Sequence, residues 1–291
     1  MASLSIPIGR RASPGLGGLW IAPPALVLAI LFFYPLALIA GASFSGSGGR
    51  ATLLNYAGVL ESAEFVRALW HTVEIAVASS VGCLVLGLVL SMILAFVPFR
   101  GSQVLARVID TFIALPTFLM ALAFTFIYGT TGIFNAALME ALHLQLPPLD
   151  FLYSQWGVIL AEVTVYTPFV MRPLLASFSL IERSQIEVAS SLGAGAFRIM
   201  RQVILPAAIP ALLAGGSLCL LLTTNEFGIV LFIGAKGVLT LPLLIYIKAI
   251  QEFDYTGACV LAVINIALSL SLYSLYRSTL SWFGGRSADL G

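Results

Sequence analysis

Hydrophobic positions are collected into six long runs along the chain, and the stretches between them contain most of the polar residues. The runs cover residues 19–41, 72–97, 108–128, 155–179, 207–233 and 256–278. Each is about 20 residues or longer, the length that an α-helix needs to cross a bilayer. Stretches such as 81–96 are apolar on every side, whereas strands of a membrane barrel alternate over short segments. The pattern predicts an all-α, polytopic membrane protein with six transmembrane helices.

The composition excludes most other classes of protein. Of the 291 residues, 60% are hydrophobic and only 9% are charged, whereas soluble domains are about 25% charged. Soluble enzymes and nucleic-acid binders are therefore excluded, and the formal net charge of +1 gives no sign of a polyanionic partner. We expect the bilayer itself to surround the chain, and no nucleic acid to bind.

Lys and Arg residues set the expected orientation, because they are concentrated on the cytoplasmic side of membrane proteins. With the N-terminus inside, all but four of the 14 Lys and Arg residues fall on that side. Arg172 is the ambiguous one, since it sits near the inner end of the fourth run rather than in a loop. We therefore expect both termini in the cytoplasm, with 1–18 as an N-terminal segment, 19–280 as the transmembrane domain and 281–291 as a tail.

The first run also has features of a secretory signal peptide. Arg10 and Arg11 make a basic start, and the small residues 40–42 are similar to a cleavage site. The apolar run is longer than the usual 7–15 residues, however, and Pro23-Pro24 interrupts its start. A retained membrane anchor is the favoured interpretation.

One segment on the expected cytoplasmic side differs from the other loops. Residues 181–206 contain Ser184, a suitable N-cap, with Glu187 three residues later as its capping-box partner. A helix over 185–192 would then end at Gly193, which favours a left-handed C-cap.

A second helix follows Gly193 and runs to Pro206. It mixes the apolar Phe197 and Ile199 with the basic Arg198 and Arg201. A helix–turn–helix of this kind on the membrane face suits docking into a groove of a soluble partner. Anchoring to anionic lipid is the alternative.

The spacing within this segment resembles the EAA loop of ABC importer permeases. Glu187-Val-Ala189 is followed by three residues and Gly193, and then by nine further residues and Val203-Ile-Leu-Pro206. Val188 replaces the family's second Ala, and Val203 replaces its Ile. The resemblance implies a coupling helix in a cleft of a cytoplasmic ATPase, and the residues it assigns to ATPase coupling are Glu187, Ala189, Gly193, Leu205 and Pro206.

The resemblance extends over roughly residues 20–280 and implies a function. It includes Phe33-Tyr-Pro35, Tyr128-Gly129 and the Phe151-Leu-Tyr153 lead into the fourth run. The chain is similar to the permease subunits of type I ABC importers, which form half of a translocation pathway in the bacterial inner membrane. Residues 232–255 look most like permeases for 2-aminoethylphosphonate, within a group that includes polyamine, ferric iron, sulfate and molybdate permeases.

Family membership would also fix the partners. The resemblance implies a cytoplasmic ABC ATPase dimer, a second permease subunit (usually a separate homologous chain) and an extracytoplasmic substrate-binding protein. ATP and Mg²⁺ would be held by the ATPase, so no cofactor is expected in this chain. An ion-coupled secondary transporter is the alternative class, but it would be expected to show inverted repeats and broken helices, and neither is clear in the sequence.

Four polar residues inside the spans are candidates for the translocation path, because ionisable groups in a membrane are costly. Glu162 lies in the fourth run, and Thr224, Asn225 and Glu226 lie in the fifth. Hydrogen bonding between helices is an equally good explanation. An acidic path would suit a cationic or amine-bearing cargo. Asp110, by contrast, is explained by a pair with Arg107 on its own helix.

Catalysis and metal binding are not expected in this chain. His71 and His143 are isolated, and the three cysteines form no ligand pair. The segment 234–242 lacks the full phosphate-loop pattern and falls on the expected outer side. We interpret it as a turn or as a contact with the binding protein, where Lys236 and Lys248 would meet acidic groups.

Overall fold

A computed structural model describes residues 17–46 and 50–288. Six of its helices are long and apolar enough to cross a membrane, which confirms the predicted all-α class. These spans are Ile21–Ser43, Ala63–Phe96, Thr117–Leu142, Gln155–Ser179, Ala196–Thr224 and Tyr255–Ser278. The segment 1–16 lies outside the described residues, and the last helix continues to Ala288, well into the predicted tail.

Fourteen α-helical segments make up the described fold. Two of the spans contain a π-helical turn, and a third π-helical turn follows α13. The segments are α1 Gly17–Leu28, α2 Tyr34–Ser43, α3 Leu54–Leu60, α4 Ala63–Phe96, α5 Ser102–Ala114, α6 Thr117–Tyr128, α7 Ile133–Leu142, α8 Gln155–Ser179, α9 Arg183–Ser191, α10 Ala196–Ile199, α11 Leu205–Thr224, α12 Gly228–Ile233, α13 Leu241–Tyr246 and α14 Tyr255–Ala288. The π-helical turns are Ala29–Phe33, Met200–Ile204 and Ile247–Gln251.

Helix α8 is the centre of the bundle and packs against both α4 and α11. Glycines allow the close approach that helices in lipid need for good packing. A Cβ atom at Gly87 of α4 would lie 2.9 Å from Cγ1 of Val170. A Cβ atom at Gly215 of α11 would lie 2.9 Å from the Val170 Cα. Val170 is fully buried between these two contacts.

Two of the predicted runs are not continuous helices. The run at 108–128 breaks at Leu115 and Pro116, which have extended backbone between α5 and α6. Proline disfavours helical backbone at the residue before it, so the helix is interrupted at this point although the apolar run continues. The prediction of a single helix here was wrong.

The run at 207–233 is also broken. It ends as α11 at Thr224, and the chain resumes as α12 at Gly228. The breaks in the two spans are adjacent, because a Cβ atom at Gly228 would lie 2.9 Å from Thr117 Oγ1 at the start of α6. The prediction of one continuous helix over 207–233 was therefore wrong.

The bundle has two distinct ends. The loop end carries residues 98–101 and 180–204, and residues from both segments line one open groove. The opposite end carries 45–46, 50–62, 129–154 and 234–254. At that opposite end, Thr72 Oγ1 accepts a hydrogen bond from Leu241 N at 2.8 Å, which fixes α13 against α4.

Candidate functional sites: the loop at 181–206 and a buried polar cluster

The first helix of the loop begins earlier than predicted. Helix α9 starts at Arg183, and its N-cap is Glu182, with no side-chain capping hydrogen bond. Ser184 therefore lies inside the helix, where its hydroxyl donates to Glu182 Oε2 at 3.0 Å. The predicted capping box between Ser184 and Glu187 was wrong, because a hydroxyl within the first turn cannot cap that helix.

The end of α9 agrees with the prediction. Gly193 has φ +83°, in the left-handed region that favours glycine. Beyond it, Ala194 N donates to Ala189 O at 3.0 Å, and Gly193 N donates to Ser190 O at 2.9 Å. These bonds close the helix in the manner of a glycine C-cap. Gly193 therefore fixes the direction in which the chain leaves α9.

The second helix does not stop at Pro206. It continues from α10 through the π-helical turn Met200–Ile204 into α11. Pro206 lies in the first turn of α11, where a missing N–H does not disturb the α-helical hydrogen bonds. The prediction that this helix ends at Pro206 was wrong. Its residues Leu205 and Pro206 instead join the loop to a span that runs on to Thr224.

The loop presents exposed side chains at the loop end of the bundle. Glu187 is exposed and Ala189 is half-buried, while the large apolar side chains of Val188, Leu192 and Phe197 are also exposed. An open groove of about 1100 Å³ separates the loop from the end of α4, and Glu187 lines it. An exposed apolar and charged surface of this kind is typical of a docking element.

Glu226 occupies the break in the fifth span. Its Oε1 accepts a hydrogen bond from Ile229 N at 2.7 Å in the first turn of α12, and its Oε2 accepts one from the hydroxyl of Tyr166 on α8. The carboxylate thus satisfies an N–H of the new helix and ties the break to the central helix.

Glu162 lies beside this pair, also on α8. It has no solvent exposure, and among the described residues neither of its carboxylate oxygens has a hydrogen-bond partner. Its neighbours include the hydroxyl of Ser79 and the carboxylate of Glu226. The structure therefore brings two of the four predicted path residues together, inside the bundle.

Asn225 and Thr224 are placed elsewhere. Asn225 Oδ1 accepts a hydrogen bond from Asn265 Nδ2 at 2.9 Å, and Asn225 Nδ2 donates to Ser269 Oγ at 3.2 Å. Both partners lie on α14. Thr224 Oγ1 donates to Leu220 O of its own helix at 2.7 Å. For Asn225, bonding between helices is the arrangement present in the structure.

Sequence reasoning missed the polar partners of these residues. Tyr166 lies one turn after Glu162 on α8, and Asn265 and Ser269 are one turn apart on α14. The spacing i, i+4 places such residues on one helix face. That periodicity was a usable signal for each pair, but it does not reveal which helix the face meets.

The suggested pair of Asp110 with Arg107 is replaced by a pair between helices. Asp110 Oδ1 of α5 accepts from Arg172 Nε of α8 at 3.0 Å. The spacing of charged residues along α5 does not show which helix packs against it, so the sequence favoured a partner on the same helix.

At the opposite end, the two lysines differ in their surroundings. Lys248 Nζ lies 2.7 Å from Glu252 Oε2 and 3.5 Å from Glu64 Oε2. The hydrogen bond to Glu252 raises the pKa of Lys248 above its ordinary value. Lys236 is exposed, with no ion pair among the described residues. Only Lys236 is therefore available to an acidic partner without breaking an existing contact.

Six helical spans, an exposed loop between the fourth and fifth of them, and polar groups inside the bundle define a multi-pass membrane transport protein. A family model described as "Binding-protein-dependent transport system inner membrane component" matches residues 87–280. The chain belongs to this family, which confirms its resemblance to ABC importer permeases, its inner-membrane location and its role as a transport subunit rather than an enzyme.

Relatives and a solved structure agree with this assignment. A protein of Salmonella paratyphi A, whose name assigns it to 2-aminoethylphosphonate transport as permease protein PhnU, is 58% identical over 98% of this chain and 99% of its own. The sulfate transport system permease protein CysT of Salmonella typhimurium is 30% identical over 79% of this chain and 82% of its own. A chain from the crystal structure of a bacterial ABC transporter that imports alginate matches with a TM-score of 0.76 at 15% identity, over 91% of this chain and 95% of that chain.

Proposed function

We propose that this chain is a permease subunit of an ABC importer whose cargo is 2-aminoethylphosphonate. The observation that carries the choice of cargo is the 58% identity to PhnU over nearly the full length of both chains. The sulfate permease relative is only 30% identical, so we favour 2-aminoethylphosphonate over sulfate as the cargo. Polyamine and ferric iron remain weaker alternatives from the sequence resemblance.

The partners follow from the same proposal. An ABC ATPase dimer, which holds ATP and Mg²⁺, docks at the loop end, and a second permease subunit completes the pathway. A substrate-binding protein delivers cargo at the opposite end. This arrangement places the loop end and both termini in the cytoplasm, in agreement with the distribution of Lys and Arg.

The loop geometry supports a lever between the ATPase and the spans. Helix α9 presents Glu187 and exposed apolar side chains to the partner, and Gly193 turns the chain into α10. From there the helix is continuous through Pro206 to Thr224. A displacement of α9 is thereby transmitted to α11 and to the break at Glu226. ATP binding would bias the two conformations of the pathway through its different affinity for each.

Uptake into proteoliposomes tests the proposal. The chain, its ATPase and its second permease are reconstituted together, and the binding protein is added outside with radiolabelled 2-aminoethylphosphonate. ATP-dependent uptake that persists with a protonophore is the expected result. The ion-coupled alternative would be expected to show broken helices, and uptake that needs a proton gradient but no ATP would favour it. ATP-driven uptake of sulfate alone would change the cargo and leave the permease role intact.

A further inference from the structure

The ion pair joins Arg172, in the fourth membrane span, to Asp110 on α5, away from the polar cluster. Arg172 is seven residues before the end of α8 at Ser179, so it lies about 10 Å along the helix from the loop end at a rise of 1.5 Å per residue. Within 161–175 it is the one exposed residue of α8. A charged side chain at this depth faces another subunit or a water-filled cavity rather than lipid.

Both side chains of the pair are exposed to solvent in the single chain. The exposed fraction is 57% for Arg172 and 52% for Asp110. Helix α5 adds a polar stripe beside them, since Gln103, Arg107 and Asp110 share one face at spacings of four and three. With two arginines and one carboxylate, this surface has an excess positive charge.

The guanidinium of Arg172 is only partly used. Its Nε donates to Asp110 Oδ1 at 3.0 Å, and among the described residues its two terminal nitrogens make no hydrogen bond. An arginine held at Nε by a carboxylate presents its remaining donors as a planar fork, which matches two oxygens of a phosphate-like group.

We propose that Arg172 binds the tetrahedral oxyanion of the cargo in the translocation path, and that Asp110 is the positioning residue that orients its guanidinium. This inference rests on the proposed function and adds the group on which the cargo is held. Relatives named for 2-aminoethylphosphonate and for sulfate both concern tetrahedral oxyanions, so one arginine suits either cargo. Asp110 also limits the net charge, which allows the anion to leave toward the loop end.

Arginine-selective modification of the assembled complex tests this site directly. The wild-type complex in nanodiscs is treated with phenylglyoxal, and the modification rate of Arg172 is followed by mass spectrometry. Arg277, an exposed arginine on α14, is the internal reference. We expect Arg172 to react, and 2-aminoethylphosphonate to slow its reaction about tenfold at saturation without affecting Arg277. Ethanolamine, which has the amine but no oxyanion, should give no protection.

Substitutions supply a second readout. Arg172→Gln should lower uptake per ATP hydrolysed about tenfold or more, because a charge-assisted hydrogen bond is lost, while the complex still assembles and hydrolyses ATP. Arg172→Lys should recover part of this uptake, Asp110→Asn should weaken the protection of Arg172, and Arg277→Gln is the matched control.

Three results would overturn the site. If phenylglyoxal does not modify Arg172 in the complex, this residue does not line an aqueous path. If Arg172 is modified equally fast with and without 2-aminoethylphosphonate, it does not bind the anion. Unchanged uptake in Arg172→Gln would have the same meaning. If wild-type vesicles take up no 2-aminoethylphosphonate but sulfate protects Arg172, the proposed cargo fails and the oxyanion site stands.

Discussion

The hydroxyl of Tyr166 on the central helix donates a hydrogen bond to Glu226, the residue at which the fifth span is interrupted. The other oxygen of the same carboxylate accepts the backbone N–H of Ile229. One side chain therefore stabilises the start of α12 and attaches it to α8. Since α12 also packs against the start of α6, this contact links both broken spans to the core.

Replacement of Tyr166 by Phe should destabilise the protein. Tyr166 is buried, so the substitution leaves one oxygen of Glu226 without its donor, at a cost of about 1–3 kcal/mol. Thermal unfolding of the purified complex, followed by intrinsic fluorescence, measures the loss. Tyr34→Phe, at a tyrosine that is 62% exposed, is the control and should leave the melting temperature unchanged. Equal melting temperatures for both variants would show that the Tyr166 hydroxyl contributes nothing.

The sequence predicted the number and type of spans well because apolar length alone decides them. It also located Gly193 correctly, since a left-handed turn needs a residue without Cβ. The two breaks were missed for a physical reason. Leu115 and Pro116 are themselves apolar, so a run defined by hydropathy passes through them. Glu226 was recognised as unusual, but its hydrogen bond to Ile229 in the first turn of α12 depends on backbone geometry.

The candidate path residues show a different limit. Glu162 and Glu226 meet only because α8 and α12 are neighbours. Asn225, which precedes Glu226 by one residue, instead contacts α14. The pair of Asp110 with Arg172 likewise joins residues 62 positions apart. Residue type and spacing identify which side chains need a partner, but tertiary packing alone decides which partner they find.

Gly193→Ala should weaken the link between the loop and the ATPase. Its φ of +83° is strained for alanine, so about 1 kcal/mol would favour a different exit from α9. We expect ATP hydrolysis stimulated by the loaded binding protein to fall more than basal hydrolysis. Gly195→Ala is a matched control, since Gly195 has φ −69° and a Cβ there would meet no atom within 4 Å. A parallel decrease in both variants would argue against a role for the left-handed turn.

Gly215→Ala should disturb the packing of α11 on α8. The new methyl group would lie 2.9 Å from the Cα of Val170, and backbone at the centre of a bundle cannot move aside as a flexible side chain can. Overpacking of this kind costs roughly 1–3 kcal/mol, measurable as a lower melting temperature. Gly41→Ala in α2, where a Cβ atom has no neighbour within 4 Å, should be neutral or slightly stabilising. An unchanged melting temperature for Gly215→Ala would mean that α11 and α8 can move apart without loss of stability.

Lys236→Gln should reduce capture of the binding protein more than Lys248→Gln. Lys236 is exposed, whereas Lys248 is already paired with Glu252 and Glu64. The pKa of Lys248 is raised in the folded chain. Its contribution to stability is therefore complete at a pH below the pKa of an unfolded lysine, and it is lost only as the pH rises through the pKa in the folded chain. At neutral pH Lys248 therefore stays engaged with its own chain. Binding of the loaded protein to the complex in nanodiscs, measured at low and high salt, should show a smaller salt dependence for Lys236→Gln than for wild type. An equal loss in both variants would mean that the Lys248 pair opens during docking.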